Sequence, residues 1–98
     1  MIAPLSLPEL NQHLVNLPGW SYDEARRALY RRVTLADFAE ALALMVRVGV
    51  EAEKANHHPE WFNVYNRIDI WLTTHDADGV SVRDIALATR IDLFARAA

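Results

Sequence analysis

Residues 53–75, EKANHHPEWFNVYNRIDIWLTTH, hold three of the four histidines and two of the three tryptophans of a 98-residue chain. The stretch opens as the tail of a helix, breaks at Asn56-His57-His58-Pro59 and resumes as two strand-like runs. Pro59 disfavours helical geometry at His58, so the helix must end near Asn56. Trp61–Tyr65 and Arg67–Thr74 then read as a hairpin turning near Asn66, rich in aromatic and β-branched residues. In the second run Ile68, Ile70 and Leu72 point to one face, and Asp69, Trp71, Thr73 and His75 to the other. An apolar face alternating with a polar one marks an antiparallel sheet covered on one side.

Upstream, Thr34 with Asp37 reads as the cap of the longest helix. Leu35, Phe38, Ala39, Leu42, Met45, Val46, Gly49 and Val50 recur at helical spacing, and this stripe is expected to face the core. Glu53 lies five turns of about 3.6 residues beyond Leu35, which puts it in line with the stripe, at the rim of the core. Ala41, Leu44, Val48, Ala52 and Ala55 form a second apolar strip on the far side, separated by polar Glu40, Arg47, Glu51 and Lys54. A helix on one sheet needs only one stripe, so the second predicts a contact with another copy of the chain.

The remaining elements frame this centre. Ser6-Leu-Pro-Glu9 is a capping box for a first helix with Leu7, Leu10, Leu14 and Val15 inward, stopped by Pro18-Gly19. Its His13 stands alone and is assigned to the surface. Trp20–Tyr22 and Arg27–Val33 predict a strand pair around Asp23-Glu24-Ala25. After an Asp78-Gly79 turn, Ser81 and Asp84 cap a last helix with Ile85, Ala88, Ile91 and Phe94 inward. The order α-β-β-α-β-β-α predicts an α+β fold of one domain over residues 1–98: two layers, a four-stranded antiparallel sheet covered on one face by three helices.

Composition bounds the function. An apolar fraction of 52% with 23% charged residues describes a soluble globule. The absence of cysteine excludes disulfides and thiolate metal sites and fits a reducing compartment, so a cytoplasmic location is expected. The formal charge of −3 argues against a nucleic-acid surface, and Arg26, Arg27, Arg31 and Arg32 are expected to form a solvated strand face. No apolar run is long enough to span a membrane.

His57 and His58 follow a helix end, where neighbouring side chains can reach different sides of one pocket. His75 at a strand end can converge on them, with Glu53 one turn upstream. Three imidazoles near a carboxylate supply groups that titrate near neutral pH, as acid–base catalysis requires. The same residue types also suit a zinc site, although the adjacent histidines lack the i, i+4 spacing that aims two imidazoles at one ion. The plain alternative is structural: a helix-capping His57, a His58 packed on Pro59 and a surface His75. Thr73 and Thr74 read either as ordinary β-formers or as groups that orient a planar polar ligand.

Glu53-Lys54, Asn56-His57-His58-Pro59-Glu60-Trp61, Tyr65-Asn66, Thr73-Thr74-His75, Gly79 and Asp84 together resemble the signature of the pterin-4a-carbinolamine dehydratases. The resemblance runs from Gly19-Trp20 through the last helix. It implies the same two-layer fold and a hydro-lyase that dehydrates 4a-hydroxytetrahydropterin to quinonoid dihydropterin in tetrahydropterin recycling, without metal or organic cofactor. By the same resemblance His57 and His75 are the acid–base pair, with the individual assignments open, and His58 mainly holds the pterin. Asn56, Thr73 and Thr74 match positions lining the pterin site, with Glu53 at its edge. The family implies a homodimer or homotetramer. Some animal relatives bind a transcription factor, so a non-catalytic dimerisation module for a regulatory protein is the alternative. Two positions depart from the family pattern: Asn56, where relatives often carry Asp, and bulky Trp71, which could narrow a pocket or cover an interface.

Overall fold

A computed structural model describes residues 2–97. The elements run α1 (Leu7–Leu14), β1 (Ser21–Asp23), β2 (Ala28–Thr34), α2 (Phe38–Ala55), β3 (Glu60–Val64), β4 (Arg67–Leu72) and α3 (Val82–Ala97), with a 3-10 turn at His75–Ala77 before α3. The strands form one antiparallel sheet in the order β1-β2-β4-β3, which realises the expected α-β-β-α-β-β-α architecture. Strand alternation puts Leu29, Val33, Ile68, Ile70 and Leu72 on one face, all buried. They pack in one cluster with Leu10 of α1, Leu44 and Val48 of α2, and Ala88, Ile91 and Phe94 of α3. Among the described residues no helix is long and apolar enough to cross a membrane.

The capping box of α1 is present: Ser6 Oγ accepts from the Glu9 N–H, and Glu9 accepts from the Ser6 N–H. Only Leu10 of that helix is buried, however. Leu14 packs at the edge of the core, whereas Leu7 and Val15, expected inward, are exposed. Eight residues make two turns, too short for four positions to share a core-facing line.

The longest helix reverses the expectation from sequence. Its cap is Asp37, whose carboxylate accepts from the Glu40 N–H at 2.9 Å, while Thr34 ends β2. The core face is Ala41, Leu44, Val48 and Ala52, the strip assigned outward; Phe38, Leu42, Val46 and Val50, assigned inward, are 46–58% exposed. The reason lies at Leu35. It does pack against the core, but from the loop between β2 and α2, with its N–H bonded to Asn66 O. Its direction therefore says nothing about the phase of a helix that starts three residues later. Small Ala41 and Ala52 let α2 approach its neighbours closely, with Leu44 and Val48 filling the space between. Glu53 follows the exposed stripe and is a solvent residue, its side chain 81% exposed, and not a rim-of-core one.

The four arginines do not form one solvated face. Arg27 pairs with Asp78, Arg31 with Asp92 and Arg32 with Asp69, and Arg26 lies 3.8 Å above the Trp71 ring. Trp71 packs at a tilt against Tyr30 on the helix-free face and donates to Asp23 at 3.1 Å, so its bulk is taken up there and not in a pocket. Beside it Asp69 is buried, accepting from Tyr30 Oη at 2.5 Å and Arg32 Nε at 2.8 Å. The Arg32 guanidinium, helped by Tyr30 and Arg67, holds the Asp69 carboxyl below the usual carboxylate range against the opposing effect of burial.

Two predictions follow from these packings. Leu44→Ala should cost about 2–5 kcal/mol in denaturant unfolding of the dilute protein. The chemically identical Leu42→Ala should cost under about 1 kcal/mol; equal costs would restore the opposite helix face to the core. A carboxylate depressed by folding contributes stability above its unfolded-state value of about 3.9, and that contribution is lost as pH falls through the folded value. The thermal midpoint should therefore drop on acidification, and more shallowly in Asp69→Asn than in the parent.

Candidate active site

The sequence ends α2 with a left-handed residue. Asn56 has φ 51° and ψ 43°, and its N–H closes the last turn onto Ala52 O and Glu53 O. Asparagine tolerates this conformation better than most residues, which gives Asn56 a local role apart from any ligand. The sharp turn sends the next two imidazoles apart. His57 Nε2 lies 2.6 Å from Asp84 Oδ1, while His58 Nε2 turns back to Glu53 Oε1 at 2.8 Å. His75 does not end the strand; it opens the 3-10 turn beyond β4, and its Nε2 stands 3.2 Å from Glu60 Oε2.

One cavity of about 360 Å3 is lined by all three histidines together with Asn56, Thr73 and Thr74. The structure thus brings together six of the seven residues picked from sequence; Glu53 touches the group from outside, through His58. Each imidazole has its own carboxylate, and the three pairs differ in solvation. His57 is 11% exposed on a fully buried Asp84, whereas His58 and His75 are 55% and 84% exposed on their partners. Among the described residues no group of three or more histidine and acidic side chains is arranged to hold a metal ion.

The buried pair sits in a network whose protons can be placed. Asp84 Oδ2 accepts from Thr74 Oγ1 at 2.8 Å and from the Ser81 N–H at 2.9 Å. Thr74 has one hydroxyl proton and spends it on Asp84, so the 2.6 Å contact with Ser81 must be donated by Ser81 Oγ, which in turn accepts from the Arg83 N–H. A carboxylate receiving these donors acts as an acceptor, so His57 Nε2 carries a proton towards it. The neutral ring then keeps an unprotonated Nδ1, a base, and the protonated ring is an acid whose charge faces an anion. The Thr73 hydroxyl is likewise committed, donating to Arg27 O at 2.8 Å.

Sequence reasoning missed Glu60, Asp76 and Arg83 as walls of the cavity, and it read Asp84 as a helix cap and a signature residue without giving it a place in the site. Arg83 carries no spacing signal, since it meets the cavity through the fold, whereas Glu60 lies within the histidine motif and only its partner, His75, is supplied by the fold. Asp84 did carry one: a Ser-x-x-Asp cap beside a histidine motif places a carboxylate at the helix start, within reach of whatever packs there.

The family model for pterin 4 alpha carbinolamine dehydratase matches residues 3–94. A Burkholderia orbicola protein provisionally named pterin-4-alpha-carbinolamine dehydratase is 53% identical over 94% of this chain and 90% of its own length. A Rhizorhabdus wittichii protein with the same provisional name is 52% identical over 96% of this chain and 97% of its own. A crystal structure described as a transcriptional coactivator/pterin dehydratase from Brucella melitensis superposes with a TM-score of 0.91 at 40% identity, covering 94% of this chain and 98% of that one. A match across nearly the whole sequence, on a shared fold, makes this chain a member of the pterin 4 alpha carbinolamine dehydratase family.

Proposed function

We propose that this protein dehydrates a 4a-hydroxytetrahydropterin to the quinonoid dihydropterin, using His57 and His75 as acid and base. The observation that carries the reading is the single cavity walled by three imidazoles, each set on a different carboxylate. The reaction breaks the C4a–O bond and removes the proton on N5. One group protonates the departing hydroxyl while another takes the N5 proton, so water leaves and the pair ends with its protons exchanged. Hydroxide leaves poorly without that proton, and positioned acid–base groups are worth about 10²–10⁴-fold. Asp84 positions His57 through a buried contact; Glu60 holds exposed His75 more weakly, because solvent screens the pair. His58 holds the pterin beside Asn56, and Thr73 and Thr74 shape the wall while their hydroxyls brace the protein.

The same reading extends to assembly. Phe38, Leu42, Val46 and Val50 make an exposed apolar stripe along α2, which a second copy would cover in a homodimer or homotetramer. The strip is the opposite one to that expected from sequence, but the physical reason for an oligomer is unchanged.

Stopped-flow absorbance of 4a-hydroxytetrahydropterin decay tests the chemistry. His57→Ala and His75→Ala should each lower kcat by at least about tenfold, and Asp84→Asn should lower kcat with little change in KM. Near-parental rates in both histidine variants would refute the assignment. In sedimentation, Leu42→Glu with Val46→Glu should reduce the assembly state and leave the circular dichroism of the fold intact. A monomeric parent at micromolar concentration would dispose of the oligomer.

A further inference from the structure

Behind the histidine turn, between the end of α2 and the start of α3, lies a second cavity of about 500 Å3, larger than the one holding the three histidines. Three of its residues, Asn56, His57 and Arg83, also line the histidine cavity, so the two spaces share a border. Its remaining ionisable lining is Glu51, Lys54 and Arg90. Glu51 is ionised at neutral pH: hydrogen bonds from Arg90 and then Lys54 hold its carboxyl below the usual carboxylate range. Setting the shared histidine aside, three cations, Lys54, Arg83 and Arg90, thus face one anion. Arg83 has no carboxylate partner among the described residues and stands at the junction of the two spaces.

A third cavity of about 220 Å3 also borders the site, sharing Thr73, His75 and Glu60. Its charges cancel, with Arg26 and Arg27 set against Glu60 and Asp78. Size and charge therefore both single out the cavity behind His57 as the place where a substrate larger than the pterin ring would extend. Its volume falls in the range of about 300–1,000 Å3 typical of small-molecule sites.

Resting on the dehydratase reading above, we infer that the preferred substrates are reduced pterins whose side chain ends in an anion, with the ring in the histidine cavity and the phosphate or carboxylate end received by Arg83, Lys54 and Arg90. Guanidinium groups suit this task because their planar donors match the oxygens of either anion. Glu51 tempers the site. It keeps Lys54 and Arg90 in place while the cavity is empty, and it lowers the affinity for an anion compared with a site lacking it.

Quenching of tryptophan fluorescence at low salt tests the inference with 6-hydroxymethyl-7,8-dihydropterin, its monophosphate and 7,8-dihydropteroate as the probes. At least one anionic ligand should bind roughly tenfold more tightly than the neutral one, the worth of a modest charge-assisted contact. An advantage confined to the monophosphate or to the pteroate identifies the anion. The preference should shrink in about 0.5 M salt. It should disappear in Lys54→Gln with Arg90→Gln and grow in Glu51→Gln, with the neutral ligand unaffected by either change. Equal binding of all three ligands would overturn the inference and leave the dehydratase reading standing. If none of the three binds, not even the neutral pterin, both fall together.

Discussion

The carboxylate of Asp84 is the constraint on which the site depends. It has no solvent exposure, and it joins three segments far apart in sequence: the end of α2 through His57, the exit of β4 through Thr74, and the start of α3 through Ser81. A buried anion is tolerated only when its oxygens are occupied by donors, and Asp84 receives them from all three segments. Removing one side of such a buried pair typically costs about 3–5 kcal/mol, a large part of a small domain's stability. The interaction that aims the imidazole is therefore also one that holds the layers together, and fold and site share a single joint.

The other two histidines are held by contacts of a different kind. His58 and Glu53 are both largely exposed, and His75 meets Glu60 at the surface. Exposed pairs of this sort contribute at most about 1 kcal/mol, so these rings can turn when a ligand arrives. One imidazole is thus held rigidly and two are held loosely around the same cavity. The open face of the sheet is organised separately. There Asp69, Tyr30, Arg32 and Trp71 fill with polar and aromatic contacts the side that no helix covers.

Much of this was legible in the chain. The alternation of Ile68, Ile70 and Leu72 against Asp69 and Trp71, the Ser6–Glu9 capping box and the Pro59 break state their structures locally. A period of two, a hydroxyl followed three residues on by a glutamate, and a missing N–H all act within a few residues. For the same reason the family signature in residues 53–84, and with it the set of candidate histidines, could be read before any coordinates. Only long-range packing chose between the two apolar stripes of α2. Both have helical period, and the choice rests on how closely Ala41 and Ala52 let the helix approach the rest of the fold.

The sequence by itself determined the elements, their order and the residues able to do acid–base chemistry, because each follows from short-range geometry and side-chain type. The tertiary structure alone decided which carboxylate each histidine meets: Asp84 is 27 residues from His57, and Glu60 is 15 from His75. It also decided that the threonine hydroxyls serve the protein and that a cationic cavity lies behind the histidine turn. Such pairings arise where separate segments close on one another. No periodicity along the chain records them, because the distance that matters is measured through space.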